Sequence, residues 1–487
     1  MASVISAKDC MPFYFKGNVI SERNSSKEVN PLAEFVSSVV PISVFDKELK
    51  DEDAESKLAY SPYENKPFPI KADGGYDLQK VWQAGRYFGS ARIKGKIIEI
   101  EPRFGKEWLE YILNDVTHFK LVKSGSEQKK TSININDLMR RILWHLWLRK
   151  FAAANQYGLP KRVVKRTHIG MQMRGHLNVR KSLFPLFAKR QVVSEYREKD
   201  IDDTICRIVY KAYCVLVNRK FNKTQVPSQI QDSLNSLYSY YQGQPISVYN
   251  KDYYGLSYKS IYLSWKPLVD FSWQIIQKDS LFKQKGIKDE SLSIFFDMAE
   301  IWEAFLRKKL GEGFAGDGWR VLSVEECHYR IYKGKFFSRD IIPDIILTRQ
   351  NEKGEREYMV FDAKYKRMRA NKEAQSYDVD RTDLFQIHTY INYVEHHLGH
   401  VVIGGLLYPL TKKTQAEDGS EIEIELDSNR FHSEHLYGYE ERNKANNTKF
   451  IIDGVYCAES DNAAGKSNDM ETEVEKMIER IKTAANL

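Results

Sequence analysis

Two short apolar runs, at 341–348 and 358–365, are each interrupted by an aspartate, and this pairing constrains the fold more than any other feature of the chain. Both runs are β-branched and aromatic with a polar turn between them, which predicts two strands. Aspartate is depleted from strands, yet Asp344 and Asp362 sit inside these. Two residues on from Asp362 is Lys364, on the same face of an extended chain, while Phe361, Ala363 and Tyr365 take the other face. A helix is expected from about Asp380. Leu384, Ile387, Ile391, Val394 and Leu398 recur at helical spacing as an apolar stripe. Gln386 and Tyr390 lie one turn apart on that helix.

Two carboxylates and a lysine at strand ends suit a particular chemistry. Asp344 and Asp362 offer hard oxygen ligands to a divalent cation such as Mg²⁺, which keeps several waters. The ion activates a bound water and polarises a phosphoryl oxygen. Lys364 can orient that water, or take its proton if its own pKa is depressed. The plainer reading is a buried Asp–Lys pair, with Asp344 a local consequence of Pro343. The sheet-then-helix context, with Gln386 and Tyr390 on the helix, favours the chemical reading.

The order Pro343-Asp344, Asp362-Ala363-Lys364, Gln386…Tyr390 resembles the PD-(D/E)XK nuclease superfamily. The resemblance implies Mg²⁺, or Mn²⁺ as the alternative ion, held by Asp344 and Asp362 with help from the Ala363 carbonyl. Glu303, on an earlier helix, is where a further glutamate often completes the metal shell; Glu300, one turn before it, competes. Gln386 and Tyr390 would orient the site or the strand being cut.

With 487 residues, more than one domain is expected. Five scattered cysteines form no C-x-x-C, which points away from a zinc site or disulfide framework and toward a reducing cytosol. No signal-peptide core or membrane-length apolar run is present. Ala464, Gly465, Lys466 and Ser467 echo a phosphate-binding loop. However, Ser460 stands where its first glycine belongs and no apolar helix follows directly, so the chain supplies no NTPase of its own. His396, His397 and His400 read as a solvated helix end.

Taken in order, residues 1–73 read as short strands and loops, and 74–105 as glycine-punctuated hairpins. A further strand is expected at 117–123. From about 131 the period turns helical, with helices expected at 135–146, 202–221, 230–241 and 260–277. From 294, Phe295, Met298, Trp302 and Phe305 give helical spacing. Strands are then expected at 319–324 and 401–408, around the two aspartate strands and the Gln386 helix. The tail adds a hairpin at 421–426, a strand at 450–456 and a charged helix at 470–485.

The charge distribution says more than the net +8. Residues 138–194 hold 13 Lys/Arg and no Asp or Glu. Lys161, Arg162, Lys165, Arg166, Arg174, Arg180 and Lys181 are interleaved with His168, Met171 and Met173, a composition suited to phosphate neutralisation. A solvated basic face, or one that meets an acidic protein, is the alternative.

Further segments resemble the McrC family, the nuclease subunit of modification-dependent restriction systems. Phe296-Asp297-Met298…Trp302-Glu303 is similar to its F-D-M-x-x-L-F-E helix, which favours Glu303 over Glu300. Ile98-Glu99-Ile100-Glu101-Pro102-Arg103-Phe104 resembles a strand-then-proline signature, and Arg174-Gly175-His176-Leu177 an R-G-x-L/I element. Residues 202–207 resemble D-x-x-L-N-R, with Cys206 in place of the usual Asn. The resemblance spans about 80–410 and implies a McrB-like AAA+ NTPase partner.

The resulting expectation is a mixed α+β multidomain protein of the cytoplasm. It comprises a β-rich N-terminal domain (1–130) suited to partner docking, an α-helical basic domain (131–290) and a PD-(D/E)XK restriction-endonuclease-like α/β domain (291–460). A polar loop and C-terminal helix (461–487) follow. Its expected work is Mg²⁺-dependent DNA cleavage beside the NTPase, without a membrane; a homo-oligomer is compatible. A non-catalytic NTPase-stimulating adaptor with a nuclease fold and a stand-alone DNA repair nuclease are the rival readings.

Overall fold

The computed structural model describes residues 4–14, 59–60, 81–93, 96–117, 135–218, 226, 228–283, 294–334, 336–371, 376–411, 413–415, 421–423, 430–436, 448–457 and 467–487. They form a mixed α+β protein of two compact units, one built from 1–135 together with 293–487 and the other from 136–292.

The first unit holds a six-stranded mixed sheet. Its order is Arg320–Val321, Ile345–Gln350, Arg356–Ala363, His400–Leu410, Lys449–Tyr456, Phe431–Ser433. The middle three strands run parallel to one another and the outer pairings are antiparallel. Parallel strands are buried on both faces, and residues 358–361 and 401–410 within the Arg356–Ala363 and His400–Leu410 strands are accordingly unbroken by charge. Their crossover is the Arg381–His397 helix, as parallel neighbours require. Ile387, Ile391 and Val394 of its stripe are fully buried against Val360 and Leu406 of the sheet. Gly405 lets the sheet close there: a Cβ would lie 1.9 Å from the Ile451 carbonyl oxygen.

The regions 1–130 and 291–460, expected as separate domains, belong to this one unit. The reason lies in the residues 294–297, read from their spacing as the start of a helix. They form a strand that pairs antiparallel with Tyr87–Ile93 in a four-stranded sheet. Phe88 and Phe296 meet at 5.5 Å, and Arg86 pairs with Asp297 at 3.1 Å. The helix begins only at Met298, where the Asp297 carboxylate accepts from Ala299 N at 2.9 Å as N-cap. Trp108, from the Lys106–Thr117 helix, stacks on Trp302 at 6.0 Å. The C-terminal helix, Ser467–Ala485, is tied to the large sheet by Arg480, whose guanidinium forks onto the buried Asp453 carboxylate at 2.9 and 2.8 Å. Position 117 ends a helix rather than opening a strand, and 118–123 lie outside the described residues, as do 424–426 of the expected tail hairpin.

The second unit is helical, as expected, over Ile135–Ala154, Asp203–Asn218, Ser228–Tyr240 and Lys266–Lys283. It also carries a long antiparallel ribbon, Lys161–Gly170 against Val192–Ile201, flanked by His176–Leu177 and the Val179–Lys189 helix. The basic residues therefore lie on strand, loop and helix together. Gly175 is obligatory in this turn. Its φ is +75° and a Cβ would lie 2.5 Å from the Glu195 carbonyl oxygen, which accounts for the R-G-H-L element.

Candidate active site

The two aspartate strands align the site. Ile345 pairs with Phe361, so the next step of the register sets Asp344 across from Asp362. Asp344 Oδ2 accepts from the Ala363 backbone N–H at 2.9 Å. Its own carbonyl oxygen accepts from Arg307 at 2.6 Å, and the same guanidinium holds the Leu322 carbonyl. Asp362 lies near the carboxyl end of a central parallel strand, where sheets of this kind place ligands. Lys364 follows, its backbone N–H donating to Leu407 O at 3.0 Å.

From Lys364 a polar chain crosses to the helix. Its ammonium lies 2.6 Å from Asp362 Oδ2 and donates to Gln386 Oε1 at 2.7 Å. Gln386 Nε2 in turn donates to the Tyr390 hydroxyl at 2.7 Å. The structure thus brings Asp344, Asp362, Ala363, Lys364, Gln386 and Tyr390 together. Burial, then the charge of Asp344, pushes the Asp362 carboxyl up from its ordinary range. Burial alone would lower the Lys364 ammonium, but Asp362, Asp383 and Asp344 outweigh it and hold the pKa above its ordinary value. Burial pushes the Tyr390 phenol up to about 12.

Asp383 was not singled out in the sequence. Buried in the first turn of the Gln386 helix, it reaches Lys366 at 2.6 Å and Lys364 at 3.4 Å, and accepts from the Tyr408 hydroxyl at 3.3 Å. Its signal was present as Asp383-x-x-Gln386, one helical turn, facing the alternating Lys364 and Lys366. Arg307 was equally unmarked, although it lies one turn beyond Glu303.

Two carboxylates fit a hard dication. Among the described residues, Asp362 Oδ2 is buried with only the Lys364 ammonium against it, at 2.6 Å, and the Asp344 charge acts on the same group. Glu303 is half-buried on the Met298–Phe314 helix. Among the described residues no three His, Cys, Asp or Glu side chains form a metal-holding group, so Glu303 does not join the aspartates in one. Glu300 is buried in the first turn of the same helix.

Behind the site, Tyr365 points to the opposite face and donates to Asp9 Oδ2 at 2.6 Å. Asp9 Oδ1 accepts from the Arg103 backbone N–H at 2.5 Å. The Arg103 guanidinium is buried over the rings of Phe104 and Tyr365, at 4.6 and 4.7 Å, and its nitrogens find no hydrogen-bond acceptor among the described residues. Cation–π attraction takes the place of those bonds. The E-P-R-F signature is therefore a brace for the segment that carries Lys364.

The basic residues of the second unit are differently placed. All seven are exposed. Lys165 pairs with Glu195, Arg166 with Glu198 at 3.2 Å and with Asp200, and Lys181 with Glu195 at 3.4 Å. The acid-free stretch ends at Ser194, and the acids just beyond it return across the ribbon to meet these cations. The Lys165 and Asn178 hydrogen bonds hold the Glu195 carboxyl down, to about 2. The described residues give no ion pair to Lys161, Arg162, Arg174 or Arg180. The D-x-x-x-C-R element caps a helix: Asp202 Oδ1 accepts from Thr204 N at 3.2 Å and its hydroxyl at 2.6 Å, and Cys206 is buried.

These features define a mixed α+β protein with a carboxylate–lysine centre at the end of a central parallel strand. The family model of the McrBC 5-methylcytosine restriction system component matches residues 82–409, and the chain belongs to that family. It is similar to a solved half-complex of a tetradecameric assembly of Thermococcus gammatolerans McrB AAA+ hexamers with bound McrC. The identity is 14% and the TM-score 0.46, over 98% of this chain and 100% of that one. A second likeness is to the Thermococcus gammatolerans McrBC complex, at 14% identity and a TM-score of 0.32, over 64% of this chain and 88% of that one. No curated protein matches the chain. No helix among the described residues is long and apolar enough to cross a membrane.

Proposed function

We propose that this chain is the DNA endonuclease subunit of its restriction system, with a PD-(D/E)XK-type centre, and that it works with a McrB-like AAA+ NTPase. The observation that carries the reading is the chain Asp362, Lys364, Gln386, Tyr390 at one strand end, with Asp344 beside it on the Ala363 N–H. Asp344 and Asp362 would hold Mg²⁺ or Mn²⁺, with the Ala363 carbonyl as a further oxygen donor. When bound, the ion supplies an activated water and neutralises phosphoryl charge.

The protein's own groups set the geometry. Lys364, held between Asp362 and Gln386, acts as a hydrogen-bond donor that positions the attacking water and the scissile phosphate. Gln386 fixes the Lys364 head, and Tyr390 fixes the Gln386 amide. Arg307 and the Ala363 N–H hold both ends of Asp344. Lys161, Arg162, Lys165, Arg166, Arg174, Arg180 and Lys181 are assigned to the DNA backbone, with Lys161, Arg162, Arg174 and Arg180 carrying most of the contact.

The test is to incubate the full chain with DNA containing 5-methylcytosine and with unmodified DNA. Mg²⁺, NTP and the neighbouring AAA+ partner are present, with EDTA as control. Metal-dependent strand scission supports the reading. NTPase stimulation with no scission under any metal assigns the chain to the adaptor class, and scission without any partner assigns it to the stand-alone class.

A further inference from the structure

We propose that the hairpin Tyr329–Lys333/Ser338–Ile341 is a DNA-engaging element that stacks unpaired bases on Phe336 and Phe337 beside the candidate site. The inference rests on the nuclease reading above and adds to it a substrate preference for locally opened DNA. No strand was expected here.

The tip is chemically unusual. Phe336 is completely exposed (103%), with Phe337 at 54% and Tyr332 at 57%. Phe336 has no packing role, because a fully exposed ring touches little of its own chain. Apolar residues gathered on an exposed tip mark an interaction surface. The ten residues 330–339 hold four cations, Arg330, Lys333, Lys335 and Arg339, and no acid. Arg330 is occupied by a forked pair with Asp340 at 2.8 and 3.2 Å. Lys333 and Arg339 are exposed, with no ion pair among the described residues. Exposed aromatics with free cations and no carboxylate at the tip favour a polyanion with π faces over an apolar protein surface.

The hairpin is also held in place relative to the site. Ser338 Oγ donates to the Tyr332 carbonyl at 3.0 Å, and the Tyr332 and Phe337 rings meet at 5.7 Å. At its root, Tyr329 packs on Tyr393 at 5.3 Å, on the helix that carries Gln386 and Tyr390. Its second strand ends at Ile341, three residues before Asp344. A strand rises about 3.3 Å per residue, so the aromatic tip stands roughly 13 Å from that root. In this proposal the tip engages a single strand that lies across Asp344 and Asp362.

The experiment uses the full chain in EDTA, so that binding is read without cleavage, on a gapped duplex and on an intact duplex of equal length. Phe336→Ala/Phe337→Ala should weaken binding to gapped DNA by about fivefold or more per stacked base and to intact duplex by less than twofold. Phe336→Trp should keep the wild-type affinity and show tryptophan quenching on gapped DNA. Lys333→Gln/Arg339→Gln should reduce the salt slope on gapped DNA by about 1.4 if both meet single-strand phosphate. Equal affinity of wild type and the double Ala variant for gapped DNA, or no quenching of the tryptophan, overturns the proposal. So does loss of co-purification with the AAA+ partner while DNA binding is unchanged, which would make the hairpin a protein-docking element. Asp362→Ala, run in parallel, separates the two claims. If it still cleaves, the site assignment falls whatever the hairpin variants do. If it does not cleave yet keeps the gapped-DNA preference, both stand.

Discussion

The Asp362 strand and the basic ribbon are both rich in paired charges, and they use them in opposite ways. On the ribbon, Lys165, Arg166 and Lys181 meet Glu195, Glu198 and Asp200 in solvent, where such pairs contribute about 0–1 kcal/mol and are screened by salt. At the site, Asp362 and Asp383 are almost wholly buried and Lys364 mostly so. Asp344, Asp362 and Asp383 there face Lys364 and Lys366, with the Arg307 guanidinium on the Asp344 carbonyl. Charge buried in this way is costly to desolvate and is held by its partners, whereas the ribbon's pairs lie at the surface.

Lys364→Ala should break the comparison most sharply. We expect a fall in cleavage rate of roughly 10²–10³-fold, on the scale of losing one preorganised donor, with Mg²⁺ affinity nearly unchanged. Lys364→Arg should restore little, because a fixed fork cannot replace a compact ammonium. Single-turnover kinetics beside metal titration check this; loss of folding instead would make the Asp362–Lys364 pair structural.

Next in size is the brace behind the site. Tyr365→Phe leaves the buried Asp9 without its phenol donor and should lower stability by about 1–3 kcal/mol in denaturant unfolding. An unchanged midpoint would show that Asp9 does not need that bond.

Asp453 sharpens the contrast through pH. Burial would raise its carboxyl, but Arg480 and His432 outweigh burial and hold it below the ordinary value. A depressed folded pKa gives stability that is present in full above the unfolded value and lost as pH falls through the folded one. The wild type should therefore lose melting temperature below about pH 4 more steeply than Asp453→Asn. Parallel acid limbs would exclude this contribution.

The smallest effect belongs to the ribbon. Replacing Lys161, Arg162, Lys165 and Arg166 together should lower the salt slope of DNA binding by about 1.8, at roughly 0.9 per phosphate. A drop of four contacts' worth is not expected, because Lys165 and Arg166 are already matched by acids. The loss should be the same on any DNA sequence. Titrations at two salt concentrations decide, and an unchanged slope removes DNA from this surface.

What the sequence made legible follows from local rules. The Gln386 helix was readable because Asp380 caps it, accepting from Thr382 N at 2.8 Å, and because its stripe is strictly periodic. The Asp362–Lys364 face followed from strand alternation. The first strand starts at Ile345 rather than Ile341, since Pro343 has no N–H for a ladder, and the second runs Arg356–Ala363. Other features were hidden because their causes are distant. Asp9 and Tyr365 are 356 residues apart. The 294–297 strand carries no strand period of its own and takes its form from Tyr87–Ile93. The Lys161–Gly170 strand of the ribbon is largely exposed on both faces, so no apolar alternation marks it.

The most direct measurement is cleavage of methylated DNA by Asp362→Asn in the presence of Mg²⁺, NTP and the AAA+ partner, beside its melting temperature. The substitution keeps the side chain's shape and removes the charge that would hold the ion. The account predicts a loss of scission of about 10³-fold or more, on the scale of several kcal/mol of transition-state stabilisation. The folded protein and its stimulation of the NTPase should be retained. Scission near the wild-type rate would contradict the assignment of Asp362, and with it the site.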